Sequence, residues 1–224
     1  MDVCFILVEP AVPGNVGAAA RAIKTMGFNQ LRLVNPCDHL STEARMLAHA
    51  SGEILEKARV CSSLEEALED IDLSIATTAK KRDARVEFHL NRDLPGIIAS
   101  KGESVKRTAI VFGGEESGLS NVQIRMCDMA SSIPLKQSYP SLNLSQAVMI
   151  YAYTLFDLSF PEETGRVSPE RENEFRRVMD KSKDILIKLG VDRSPALYNR
   201  ILERLALLGE EDIHLLLSVL GRMK

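Results

Sequence analysis

The chain has 224 residues, 45% of them hydrophobic and 26% charged, enough to bury one good core with room for a small extra unit. Its net charge of −3 excludes whole-molecule attraction to nucleic acid, so any such binding must come from a local basic patch. The deficit lies in the first 160 residues, with 16 Lys/Arg against 19 Asp/Glu, whereas residues 161–224 hold twelve of each.

Cys4, Cys37, Cys61 and Cys127 are scattered and form no C-x-x-C. That pattern argues for reduced, mostly buried thiols rather than a zinc site or a disulfide framework, and no metal is expected. No apolar run approaches the ~18 residues of a membrane span, and the apolar N-terminus has no basic leader or cleavage pattern. A soluble, cytoplasmic protein is the expectation.

In chain order, Val3–Val8 is Val/Ile-rich and suits a strand buried on both faces. Asn15 is placed to cap a helix in which Val16, Ala19, Ala20, Ile23 and Met26 recur at helical spacing and which Gly27 ends. A strand at Leu31–Val34 stops at Asn35-Pro36, and helices are expected over 41–50 and 63–70, the second capped by Ser63, with a short strand at Val60–Cys61 between them. Leu73–Ala76 is the next strand, followed by a long polar stretch over 80–95 and a weak helix at 96–101. Thr108–Phe112 is the clearest strand, residues 120–126 a short helix, and Ala130–Leu135 a further strand. Leu144, Ala147, Val148, Tyr151, Ala152 and Leu155 form an apolar stripe on a long helix over 143–158. The alternation predicts an α/β fold, a mostly parallel sheet with helices on both faces, spanning residues 1–160. Residues 161–169, with Pro161, Gly165 and Pro169, read as a linker. The pattern over 170–224 is purely helical, an extension of two or three helices.

Four loops rich in Gly, Asn, Ser or Thr each follow a predicted strand: Glu9–Gly17, Thr77–Arg82, Gly113–Gly118 and Lys136–Asn143. Loops at the carboxyl ends of parallel strands are where open α/β sheets bind ligands, so one composite enzyme site is expected. The chain has no G-x-x-x-x-G-K-[ST], no G-x-G-x-x-G after the first strand and no G-x-S-x-G elbow. His39, His49, His89 and His214 lie outside the four loops. A site with no loop histidine, metal cluster or phosphate cradle points to an intrinsically reactive cosubstrate.

Gly14-Asn15-Val16-Gly17 with Arg21, then Phe112-Gly-Gly-Glu115-x-x-Gly118-Leu119-Ser120, then Ser141-Leu142-Asn143-Leu144-Ser145 resemble the three motifs of the SpoU branch of the SPOUT methyltransferases. Ala19–Gly27 and Leu33-Val-Asn-Pro36 resemble its TrmJ-type subgroup. The likeness covers about residues 3–157 and, less distinctively, the helical tail. It implies transfer of a methyl group from S-adenosylmethionine to a ribose 2′-hydroxyl of RNA, in this subgroup in the anticodon loop of tRNA. It also implies a homodimer and a C-terminal trefoil knot in the sheet domain, a topology that pattern reasoning gives almost no weight.

The resemblance implies catalytic roles for Asn15, Arg21, Glu115, Ser141 and Asn143. It implies cosubstrate binding by Thr77, Thr78, Ala79, Gly113, Ile133, Ser141 and Leu142, largely through backbone and apolar contact. An arginine of ordinary pKa cannot accept a proton. Arg21 is therefore read as holding the phosphate and the 2′-hydroxyl and stabilising developing charge, from about 9 Å of helix rise beyond Asn15. Taken alone, Arg21 is equally a surface arginine, Glu115 a solvated turn residue, and Ser141 or Asn143 a helix cap. Lys80, Lys81 and Arg82, with Arg85, are the candidate RNA patch, the alternative being a solvated charge run on a loop. Pro140 departs from the family's pattern, fixing the backbone and removing an N–H donor. Two enzyme alternatives, a ribosomal RNA ribose or a base as acceptor, stay open, as does an idle RNA-binding module that keeps the pocket.

Overall fold

A computed structural model describes residues 1–79, 88–137, 141–159 and 174–221. These residues form one sheet of seven strands: β1 (Asp2–Val8), β2 (Gln30–Val34), β3 (Arg59–Cys61), β4 (Leu73–Thr77), β5 (Phe88–Leu90), β6 (Arg107–Phe112) and β7 (Met129–Ser132). The order across the sheet is β3-β2-β1-β6-β4-β7-β5, and every strand pairing is parallel. Ten α-helices are described: α1 (Pro13–Thr25), α2 (Thr42–Ala48), α3 (Gly52–Glu56), α4 (Leu64–Leu68), α5 (Leu94–Ala99), α6 (Asn121–Met126), α7 (Leu144–Thr154), α8 (Glu174–Lys188), α9 (Pro195–Ala206) and α10 (Glu210–Leu220).

Successive residues of a strand point to opposite faces, and β1 divides accordingly. Val3, Phe5 and Leu7 join one apolar cluster with residues of α1 and α7, while Cys4, Ile6 and Val8 join a second with Leu64, Ala67 and Ile124 of α4 and α6. Both faces are covered, which is why β1 reads as an unbroken apolar run rather than an alternating one. On the first face, Phe28, Phe5, Phe112 and Tyr151 follow one another with ring centroids 5.3, 6.4 and 5.4 Å apart.

Local chemistry shifts several boundaries. Val12, not Asn15, is the N-cap of α1, with Pro13 in the first turn, where its missing N–H costs nothing. The expected helix over 41–50 begins as read, with Ser41 accepting from Ala44 N–H, but stops at Ala48. His49 there takes φ +49° and ψ −126°, and α3 starts afresh at Gly52. The long helix over 143–158 ends as α7 at Thr154 and continues as a 3-10 turn over Phe156–Ser159. β7 ends at Ser132, short of the expected Leu135. β5, inside the stretch read as polar, went unseen because three half-buried residues at a sheet edge carry no periodicity.

The sheet order reverses between β1 and β6, neighbours about a hundred residues apart in the chain. A crevice opens at such a point beyond the carboxyl ends of the strands. Gly17 lets α1 press onto α2 there, since a Cβ on it would stand 2.1 Å from the Ala44 carbonyl oxygen.

At the opposite end of the sheet the C-terminal helices dock. Phe175, Val178, Met179, Ala206 and Ile213 are buried in the same cluster as β1 and β6. Arg176 of α8 donates to the carbonyls of Ile71 (3.2 Å) and Asp72 (2.8 Å) and pairs with Asp128 at 3.2 Å. Asp128 also accepts from Ser74 N–H (2.9 Å) and Oγ (2.7 Å). Lys101 is fully buried, and its ammonium donates to the carbonyls of Ala206 and Leu208 and stands 4.8 Å over the Phe175 ring. Burial pushes its pKa down to about 8. The expected linker over 161–169 lies outside the described residues.

Candidate active site

The loops after β4, β6 and β7 line one cavity of about 480 Å³ at the carboxyl edge of the sheet, within the size range of small-molecule sites, and the loop after β1 is tied to its rim through Glu115. Thr77, Thr78 and Ala79 continue from β4, and Thr78 N–H is tied to the Ser131 carbonyl of β7 at 3.0 Å. Gly113 follows β6 and begins a turn that closes on itself, with Gly118 N–H donating to the Gly114 carbonyl at 2.9 Å. A Cβ on Gly113 would lie 2.1 Å from both Gly118 C and Leu119 N, so only glycine fits there. Ile133 and Leu135, just past β7, and Leu142 add apolar walls beside Ser141. All seven residues expected to hold the cosubstrate line this cavity.

Ten further lining residues escaped the sequence reading. Phe112, Gly114, Glu116, Ser117, Gly118 and Leu119 belong to the β6 loop and stood inside or beside the second motif. Leu144, Ala147 and Tyr151 lie on the apolar stripe of α7, which periodicity assigns wholly to the core. Their spacing carries no sign that the front of the stripe faces a cavity. Leu135 is the last residue of the expected strand over Ala130–Leu135. Tyr151 donates to Ser131 Oγ at 3.0 Å, tying α7 to β7 behind the cavity.

At the rim, three expected catalytic residues from distant parts of the chain form one hydrogen-bond series. Glu115 Oε1 accepts from Asn15 Nδ2 at 2.8 Å and from Val12 N–H at 3.3 Å, and Oε2 accepts from Ala11 N–H at 2.9 Å. Asn143 Nδ2 donates to Asn15 Oδ1 at 2.9 Å. An ionised carboxylate only accepts, so Asn15 must turn its NH2 to Glu115 and its carbonyl oxygen to Asn143. Asn143 is the N-cap of α7, as one reading of the sequence had it.

Burial works against the Glu115 carboxylate, but the donors from Asn15, Ala11 and Val12 outweigh it and hold its pKa below the ordinary carboxylate value. Glu115 is therefore a charged acceptor with its lone pairs engaged, poorly suited to taking a proton from a substrate. The bonds among the described residues use one hydrogen of each amide NH2, so Asn15 and Asn143 each keep a second N–H for an acceptor oxygen. Nearby Cys37 is half-buried, and burial, then the Glu115 charge, raises its pKa, which keeps it a thiol.

Arg21 stands apart. It is exposed on α1 and does not line the cavity. It lies six positions beyond Asn15, which on an α-helix puts the two side chains about 120° apart around the axis. Lys80, Lys81, Arg82, Arg85 and Pro140 lie outside the described residues.

The site can be set beside known proteins. Residues 2–153 match the model of the SpoU rRNA Methylase family. The chain is 36% identical over 216 residues to an uncharacterized tRNA/rRNA methyltransferase, LasT, of Escherichia coli (strain K12), covering 96% of this chain and 94% of that one. It is 38% identical over 157 residues to the tRNA (cytidine-2′-O-)-methyltransferase TrmJ of Methanocaldococcus jannaschii, covering 69% and 67%. Among solved structures, TrmJ from Z. mobilis ZM4 superposes with a TM-score of 0.66 at 27% identity, over 99% of this chain and 98% of that one. A matched model across most of the length, a full-length relative and a shared fold lead to one statement: the chain belongs to the SpoU rRNA methylase family.

Proposed function

We propose that the protein transfers a methyl group from S-adenosylmethionine to a ribose 2′-hydroxyl of RNA, in the anticodon loop of tRNA. The observation that carries this reading is the meeting of three motif loops, as Asn143, Asn15 and Glu115, at the rim of the glycine-tight cavity. The TrmJ relative supports the ribose and the tRNA.

The cavity fits the cosubstrate. Its walls at Leu119, Ile133, Leu135 and Leu142 suit an adenine ring, and the backbone of the two loops over 77–79 and 113–118 is close at hand. S-adenosylmethionine supplies a methyl group on a sulfonium, so transfer depends on in-line alignment more than on a strong acid or base. Thr77, Thr78, Ala79, Gly113, Ile133, Ser141 and Leu142 hold it. Asn15 and Asn143 present their remaining N–H groups to the acceptor ribose. Glu115 fixes Asn15 and the backbone of Ala11 and Val12 and takes no proton; as the methyl leaves sulfur for the 2′-oxygen, S-adenosylhomocysteine forms and the hydroxyl proton passes to solvent water.

Arg21 neutralises the phosphate and stabilises charge on the 2′-oxygen, working across a homodimer on the cavity of the partner subunit. Its exposure away from its own cavity supports this, as do the exposed Tyr153 and Phe156 at the end of α7. Lys80, Lys81 and Arg82 receive the RNA backbone. A trefoil knot in the last segment of the sheet domain belongs to the same reading, supported by the return of the chain from β7 to pack α7 on α1. The work is done in the cytoplasm, where tRNA is; no described helix is long and apolar enough to cross a membrane.

The second reading, a ribosomal RNA ribose, is favoured by the family's description, and the name of the LasT relative allows either RNA. Incubating the protein with total RNA and methyl-labelled cosubstrate, then separating the RNA by size, distinguishes them. Label in tRNA is expected. Label confined to ribosomal RNA establishes the second reading, and no label in either overturns both in favour of an idle RNA-binding module.

A further inference from the structure

The amide of Asn143 serves the site only in one of its two orientations, and the structure shows what selects it. Its Oδ1 accepts from Ser145 N–H at 2.8 Å and from Ser145 Oγ at 2.7 Å. Its backbone N–H donates to Gln146 Oε1 at 3.1 Å, completing a capping box at the start of α7. The two donors of Ser145 converge on one oxygen and so turn the NH2 of Asn143 away from the helix, onto Asn15 Oδ1. Every donor then points the same way, from Ser145 through Asn143 and Asn15 to Glu115. Carboxylate at one end and helix start at the other leave no second arrangement of the two amides that satisfies all the bonds.

We propose that Ser145 is a positioning residue for methyl transfer: its N–H and hydroxyl set the orientation of Asn143, and through it the N–H groups that Asn15 and Asn143 offer to the acceptor ribose. The role rests on the methyl-transfer reading above. Ser145 itself does not line the cavity, so it acts through Asn143 and not on the cosubstrate. The backbone N–H survives any substitution, which leaves the hydroxyl as the part that can be removed. Alanine is well tolerated inside a helix, so Ser145→Ala deletes that donor without threatening α7.

The test compares wild type, Ser145→Ala and Ser145→Thr for single-turnover transfer to tRNA and for affinity for S-adenosylhomocysteine by calorimetry. Ser145→Ala is expected to lower the rate about five- to tenfold, the scale of one hydrogen bond. Ser145→Thr, which keeps the hydroxyl, is expected to restore it, with S-adenosylhomocysteine affinity unchanged throughout. In an Asn143→Ala background the Ser145→Ala change is expected to cost nothing further, because its only route is gone. Wild-type rate in Ser145→Ala overturns the inference, as does the same loss in both backgrounds or a matching loss of affinity. A wild-type protein that methylates no RNA overturns the reading beneath it instead.

Discussion

The two ends of the sheet use polar groups in opposite ways. At the carboxyl edge, short amides and one carboxylate share hydrogen bonds across three loops while the amides keep N–H groups in reserve. At the amino edge, Arg176 and Lys101 bring full charges into the interior and spend them on backbone carbonyls and on Asp128. The first arrangement fixes side-chain direction without consuming every donor, as a site must. The second closes an interface, where an unpaired group is a loss. Changes at the carboxyl edge should therefore weigh more on rate than on stability, and changes at the amino edge should do the reverse.

The largest separation is expected from Arg21→Ala. Transfer should fall by about a hundredfold or more, the scale for removing a donor aimed at developing charge. Cosubstrate affinity by calorimetry should hardly move, because Arg21 lies outside the cavity of its own chain. Lost cosubstrate binding would contradict the assigned role. Next, Arg176→Ala should cost about 3 kcal/mol in urea unfolding by leaving Asp128, only 5% exposed, without its cation. The rate per folded molecule should stay near wild type; a large drop in that rate would blur the division between the two edges.

Glu115→Gln should lower the single-turnover rate about tenfold, since it sets an NH2 against N–H donors that need an acceptor. The folded-state pKa of Glu115 is depressed, so the stability it contributes is present above the ordinary carboxylate value and lost as pH falls through the lower folded one. Wild type and Glu115→Gln should thus converge in stability under acid.

At Lys101 the effect is read in the pH dependence of stability and not in the rate. Its folded pKa of about 8 lies below the ordinary 10.5, so the unfolded chain binds more protons between those values and stability rises with pH across that window. The contribution is complete above about 10.5 and lost as pH falls through about 8. Lys101→Met should flatten this slope in denaturation curves at pH 7.5 to 10.5, and an unchanged slope would remove Lys101 as its cause.

The same division decides what could be read from the sequence. The core of β1 and β6, the stripe of α7 and the four loops are legible because strand runs, helical spacing and glycine-rich turns are local signals. The buried state of Lys101 is not. It stands at the end of the weak helix over 96–101, where nothing local signals burial, and α8 and α9, more than seventy residues on, close over it. Asn15 was read as a cap because its residue type suits one, yet Pro13 starts the helix earlier and frees the amide for Glu115. Tyr151 reads as core, where it is indeed buried, but it also lines the cavity. The rise of about 9 Å that separates Arg21 from Asn15 is legible in the sequence, and the turn of the same helix sets the two about 120° apart around its axis.

The chemical identity of the acceptor atom tests the account most directly. A 2′-O-methyl group blocks the attack by which alkali cleaves RNA, so unmodified tRNA labelled by this protein and then hydrolysed in alkali reports the atom. The account predicts the label in an alkali-resistant dinucleotide from the anticodon loop. Label released in single nucleotides, as a methylated base gives, would contradict it.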